Sequence, residues 1–380
     1  MTDADRELLL IPGPTPVMPA FAQQMARPMI DHRGPEFAAI LRACTTGLRW
    51  AFQTRGEVFI LTGSGSAAME AAIVNTLSPS DRVLAVSAGS FGDRFGLIAQ
   101  RFGAVVDVLG FPWGEPIDLD AVHARLHQQP YRAVLTTFNE TSTGVMHDLA
   151  ALAQGHDALV LVDAISGALV ADLPMDEWGI DICVAASQKA FSIPPGLSFI
   201  ALSERAAVAG TTAKMPRFAL DLAPARDFAA KGQTPFTPAI PQFFALQAAL
   251  EELQTIGLDA LFRRHAARAA AVRAGVQALG LDLFARSHFS PAVTAVRAPQ
   301  AIPVKRLLAH LRERYALVLA GGQDQVADAI FRIGHLGLTP DGDFVEALAR
   351  LGAGLRDLGW AGDADAGGAA VEAALSAPAR

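Results

Sequence analysis

From residue 57 onward, short runs of consecutive apolar residues alternate with stretches in which apolar positions recur every three or four residues. "EVFILT" (57–62), "RVLAVS" (82–87), "VVDVLG" (105–110), "YRAVLTTF" (131–138), "ALVLVDA" (158–164) and "DICVAAS" (181–187) have the length and β-branched content of buried strands. Between them "AAMEAAIVNTL" and "FGLIAQRFG" read as helices. Upstream, "PEFAAILRACTTGLRWAF" puts Phe37, Ile40, Leu41, Cys44 and Leu48 on one helical face. Apolar strands separated by helices predict an α/β fold, a mostly parallel sheet covered on both faces, with ligands bound beyond the C-terminal ends of the strands.

The texture changes after "TPFTPAIPQFFALQAALEEL". An Arg/Ala-rich helix over 259–279 precedes the strand-like "AVTAVRA", "ALVLAGG" and "AIFRIG", a pattern that predicts a small α+β domain with an antiparallel sheet. The expected partition is an N-terminal arm (1–20), a large domain (21–256), a smaller C-terminal domain (257–360) and an Ala/Gly-rich tail (361–380), the last expected to be partly disordered. The arm, with "IPGPTPVMP", is too proline-rich for a helix and reads as an extended segment laid over another part of the protein. No internal repeat is present.

Composition narrows the function. A chain of 380 residues, 51% hydrophobic and 18% charged, has ample core. A formal charge of −7 without a Lys/Arg cluster argues against a nucleic-acid partner. Cys44 and Cys183 have no metal-like spacing, which excludes a disulfide scaffold or a Cys-based zinc site; no metal is expected. The start "MTDADRELLL" lacks a basic segment followed by a long apolar one, and no apolar run reaches membrane-spanning length. The expectation is a soluble, cytoplasmic protein.

Candidate chemistry begins at Lys189 in "ICVAASQKAFSIPPG" (182–196). Holding a lysine neutral at pH 7 costs about 4.6 kcal/mol from its unperturbed pKa. Either its ammonium points into water where a strand leaves the sheet, or it is an imine-forming lysine with partners elsewhere. "GSGS" (63–66) follows a predicted strand and opens a helix, so backbone N–H groups and two hydroxyls converge there: a phosphate cradle, or an ordinary βα turn. Neither the Walker A nor the Rossmann spacing is met. Asp163 ends the strand in "ALVLVDAIS", placed over the crevice or capping the next turn. Together, a carboxylate for a pyridine nitrogen, an imine lysine and a helix terminus for a phosphate are the three fixings that pyridoxal phosphate requires.

The ordered strings "PGPTPV" (12–17), "HRGPEF" (32–37), "TGSGSAAMEAA" (62–72), "NETSTGV" (139–145), "VDAIS" (162–166), "SQKAFSIPPG" (187–196), "TPFTPAIPQ" (234–242) and "FRIGHLG" (331–337) resemble the class V, fold type I aminotransferases. The likeness is strongest to the alanine:glyoxylate and serine:glyoxylate (serine:pyruvate) enzymes. It implies that Lys189 forms the imine with pyridoxal phosphate and that Asp163 pairs with the pyridine nitrogen. Ser64, Gly65 and Ser66 would hold the phosphate beside Gln188, Phe91 would stack on the ring, and Thr141 would place a hydroxyl near the cofactor. Arg332 would grip the substrate carboxylate, with Gly13 of the arm near the substrate and His32 and Arg33 as anion contacts. Thr237 and Thr234 would reach the phosphate of a neighbouring subunit, making a homodimer with shared active sites. The implied reaction is ping-pong transamination between a small amino acid, alanine or serine ahead of aspartate, and glyoxylate or pyruvate. The rivals are a transaminase for another donor such as a phosphonate, a cysteine desulfurase, and a non-catalytic cofactor-binding protein.

Overall fold

The computed structural model describes residues 6–377. Its main sheet has seven strands: β1 (Glu57–Thr62), β2 (Arg82–Ser87), β3 (Val105–Gly110), β4 (Ala133–Thr137), β5 (Leu159–Asp163), β6 (Ile182–Ala186) and β7 (Leu197–Leu202). Their spatial order is β1-β7-β6-β5-β4-β2-β3. Strands β2 to β6 pair in parallel, and β7 runs antiparallel to both β1 and β6. The apolar run "LSFIAL" that forms β7 was not among the expected strands. Only residues 187–196 separate it from β6, too few for a crossover helix, so the strand must return in the opposite direction.

Alternation along the central strands divides the core. Val160 and Val162 face one apolar cluster with Phe37 and Phe52 of α1 (Pro35–Phe52). Leu159 and Leu161 face the other, with Met69 and Ile73 of α2 (Gly65–Val74) and Phe95 of α3 (Ser90–Arg101). Both faces are thereby covered, and the strand ends remain as the place for a ligand.

Helix α4 (Ile240–Ile256) packs on the first face, and Gly257 separates it from α5 (Leu258–Ala278). Beyond it β8 (Val293–Arg297), β9 (Ala320–Gly321) and β10 (Ile330–Gly334) form an antiparallel sheet in the order β8-β10-β9. The arm belongs to this region: Leu8–Leu9 pairs in parallel with Leu317–Val318, and Leu8 and Leu10 are buried in its apolar cluster. A short helix, Pro19–Gln24, starts with its proline in the first turn, where a missing N–H is harmless.

The tail departs from expectation. Following α6 (Asp341–Asp357), residues Ala366–Ser376 form helix α7, which packs on α5 with Val371 fully buried. Its Ala/Gly composition reads as featureless, yet small residues are what allow close approach: a Cβ on Gly275 of α5 would lie 2.6 Å from Val371 Cγ2 and 2.8 Å from the Gly367 carbonyl. Residues 378–380 lie outside the described part. Among the described residues no helix is long and apolar enough to cross a membrane.

Candidate active site

Asp163 is the last residue of β5 and Lys189 lies three residues past the end of β6. Because these neighbouring strands are parallel, their C-terminal ends open into one crevice. The connection carrying Lys189 is closed by Ser187, whose N–H donates to the Leu197 carbonyl at 3.0 Å and whose Oγ donates to the Pro194 carbonyl at 2.7 Å. Lys189 Nζ donates to the Pro12 carbonyl at 2.5 Å. The arm is pinned alongside, with Thr15 N–H on the Gln188 carbonyl at 3.0 Å and Thr15 Oγ1 on the Lys189 carbonyl at 3.0 Å. Gly13, at φ +129°, passes so close that a Cβ would sit 2.6 Å from Lys189 Nζ.

Burial acts in opposite senses on the two groups. It pushes Lys189 down to about 8, helped by the cationic Arg332 and Arg94 and resisted by Asp163. It pushes Asp163 up to about 7, against the Ile165 N–H that donates to Oδ1 at 2.8 Å; Glu140 adds to the rise, while Lys189 and Arg94 oppose it. Burial thus disfavours the charged form of each group.

The Gly-Ser segment reaches the same crevice. Helix α2 begins at Gly65, and a Cβ there would lie 2.5 Å from Ile165 Cδ1 and 3.3 Å from Ala186 Cβ, so only a bare backbone brings this helix start against the ends of β5 and β6. Ser64 makes no side-chain cap, and Ser64 and Ser66 are exposed, leaving first-turn N–H groups and two hydroxyls for an anion. Gln188 Oε1 is buried without a hydrogen-bond partner, and its amide, turned over, offers N–H instead.

Phe91 lies in the first turn of α3 with Arg94 Cζ 4.7 Å from its ring centroid. Thr141 is buried, its Oγ1 2.8 Å from Ser166 Oγ. Arg332, on β10, is 7% exposed, so it is no surface strand arginine. Its Nε donates to the Gly321 carbonyl at 2.8 Å, and Nη1 to the Thr141 carbonyl and Gln323 Oε1, both at 3.1 Å. Nη2 donates to none of the described residues, and burial lowers the guanidinium to about 10.

Two residues at the site were not singled out from the sequence. Glu140 is fully buried and accepts the N–H groups of Phe91 and Gly92, each at 3.1 Å, and that of Ser142 at 3.1 Å. Its carboxylate thus occupies the N-terminus of α3, and burial still raises its pKa. Arg94 stands one turn beyond Phe91, a spacing that puts both side chains on one helix face. That spacing was legible in "SFGDR"; for Glu140 nothing in "NETST" distinguishes a buried acid from a turn residue.

The structure does not bring the remaining candidates to Lys189. Arg33 donates to the Thr234 carbonyl at 2.7 Å and to Gln233 Oε1 at 3.1 Å, beside His32. Thr234 Oγ1 donates to the Phe236 carbonyl at 2.8 Å, and Thr237 is exposed. Thr234 and Thr237 line a separate groove of about 670 Å³ that runs to Thr62, at the back of the Gly-Ser segment, and includes neither Lys189 nor Asp163.

A buried carboxylate, an amine and an uncapped helix start that meet beyond the ends of β5 and β6 fit pyridoxal phosphate in charge and hydrogen-bonding groups. With this sheet they define a fold type I pyridoxal phosphate-dependent transferase. The chain belongs to the family described as "Aminotransferase class-V", whose match spans residues 18–331, and it is a pyridoxal phosphate-dependent transaminase. It is 44% identical to "Soluble hydrogenase, small subunit" of Synechococcus sp., over 94% of each chain. It is 38% identical to "L-aspartate--glyoxylate aminotransferase" of Paracoccus denitrificans, covering 92% of this chain and 91% of the other. The solved alanine–glyoxylate aminotransferase of Nostoc sp. matches with a TM-score of 0.88 at 28% identity, covering 93% and 95% of the two chains.

Proposed function

We propose that the protein transfers the amino group of a small amino acid, alanine or serine, to glyoxylate or pyruvate in a ping-pong sequence of two half-reactions. The observation that carries this reading is that Lys189 and Asp163, beyond the ends of neighbouring parallel strands, act on each other electrostatically in one crevice that Arg332 also reaches through Thr141. Bound pyridoxal phosphate supplies the electron sink that accepts the pair released at the substrate Cα. Lys189, lowered to about 8, would take the substrate Cα proton as general base and deliver it as general acid to the cofactor side in the first half-reaction, and carry a proton the other way in the second. Asp163 holds its negative charge against a ring N–H, a contact worth roughly 1.5–3 kcal/mol. Ser64, Gly65, Ser66 and Gln188 hold the phosphate, Phe91 covers one ring face, and Thr141 supplies a hydroxyl. Arg332 Nη2 engages the substrate carboxylate, and Gly13 lets the arm close over the amine. Thr234 and Thr237, with His32 and Arg33, complete the site of a second subunit in a homodimer.

A second reading has its own support. Arg94 acts electrostatically on both Lys189 and Asp163, and a second guanidinium suits a dicarboxylic donor such as aspartate, the substrate in the printed name of the Paracoccus relative. A desulfurase is disfavoured, because Cys183 is buried inside β6 and burial raises both its thiol and that of Cys44.

A donor panel with glyoxylate and pyruvate separates these readings. Alanine or serine should exceed aspartate in kcat/KM; aspartate ahead of both, with the preference lost in Arg94→Gln, would replace the first reading by the second. Lys189→Ala should lose all turnover and the visible absorption of the holoenzyme. An active Lys189→Ala protein would overturn both readings.

A further inference from the structure

Behind the segment that carries Glu140 and Thr141 lies another cavity, of about 420 Å³, which Lys189 and Asp163 do not line. His147 does line it, and is 1% exposed. Its Nδ1 accepts the Ile117 N–H at 3.3 Å, which places the proton of the neutral ring on Nε2. Burial keeps the ring neutral, lowering it to about 4. Nε2–H is therefore a donor, and it is buried without a partner among the described residues. Arg273, also on the lining, has Nη1 buried and without a partner among the described residues. Burial alone lowers its pKa, with no carboxylate acting on it, and its guanidinium rests 5.1 Å from the Phe289 ring centroid.

Buried donors without acceptors are rare in folded proteins and destabilise them, so two on one cavity wall, one of them cationic, point to an acceptor that binds there. The rest of the lining says what is attached to it. Phe138, Trp178 and Phe289 give an aromatic surface, and Asp148 and Asp172 add two exposed carboxylates. Those carboxylates repel a simple anion and attract an ammonium.

We propose that this cavity binds a zwitterionic α-amino acid with an apolar side chain, its carboxylate on Arg273 and His147, its ammonium toward Asp148 and Asp172, and its side chain against the aromatic surface. The site is distinct from the Lys189 crevice and does not depend on which donor that crevice uses.

The holoenzyme is titrated with L-phenylalanine and with 3-phenylpropionate, by calorimetry and tryptophan fluorescence. Saturable binding of L-phenylalanine is expected, weakened about tenfold or more in Arg273→Met and in His147→Phe, the loss of a hydrogen bond to a charged group. Asp148→Asn should weaken L-phenylalanine and leave 3-phenylpropionate unchanged. Trp178→Phe should abolish the fluorescence response while the heat remains. Binding that disappears in Lys189→Ala but persists in Arg273→Met would place the ligand in the other crevice and overturn the proposal. The absence of saturable heat would leave water as the partner of both donors and overturn it as well.

Discussion

Position 13 admits only glycine, for two independent reasons. Its φ of +129° lies where side chains are strained, and a Cβ would press on Lys189 Nζ. Gly13→Ala should therefore reduce kcat/KM at least tenfold while lowering Tm by only a few degrees, measured by steady-state kinetics and calorimetry; unchanged kinetics would show that the arm moves aside. Asp163 allows a sharper experiment. In the cofactor-free protein its carboxyl keeps a proton up to about pH 7, whereas the unfolded chain releases it near the ordinary value of 3.8. The unfolded state thus binds fewer protons between these values, and this contribution to stability, full below about 3.8, is lost as pH rises through about 7. Cofactor-free Asp163→Asn should gain stability relative to wild type as pH rises across that span in urea titrations, while its kcat falls in the reconstituted enzyme. A constant difference would mean that the buried carboxyl titrates normally. Lys189 and Asp163 were legible in the sequence because each ends an apolar run. Glu140 was not, because what makes it an interior acid is the start of a helix almost 50 residues away in the chain, and no local pattern records that meeting.

Among the elements, the parallel strands and both sets of flanking helices followed from periodicity, since each strand buries two faces and each helix one. The reversed strand β7 was missed for want of a helix to announce it, although the shortness of the connection after Lys189 dictates its direction. The tail was misread for another reason: propensity and hydropathy do not register the room that glycine leaves between helices. Gly275→Val would force its side chain into Val371 and the Gly367 carbonyl. Overpacking of this kind costs about 1–3 kcal/mol. The expected result is a lower urea midpoint with kcat/KM unaltered, and a tail helix that becomes sensitive to proteolysis. An unchanged midpoint would mean that the helix is not anchored there.

At the scale of the whole molecule, three buried histidines add to the loss of stability toward acid. His147, His265 and His335 are held down to about 4, 3 and 3, in each case chiefly by burial. Each takes up a proton on unfolding below its ordinary value of 6.5, so its contribution is full above that pH and is lost as pH falls toward the folded value. One such group contributes a slope of about 1.4 kcal/mol per pH unit. In His335→Gln the difference in unfolding free energy from wild type should change by about that slope between roughly pH 6 and pH 4. A flat difference would mean that His335 is protonated in the fold.

The pairing of Leu8–Leu9 with Leu317–Val318 also has a temporal meaning. These leucines are synthesised well before their strand partner, with the whole main sheet lying between the two in the chain. Until then Leu8 and Leu9 lack their strand partner, and the arm that carries the Pro12 carbonyl to Lys189 is held by its Thr15 contacts without this anchor. Synthesis must pass Val318 before the arm gains this anchor, so a chain interrupted earlier would carry an apolar strand without its partner next to a less enclosed amine.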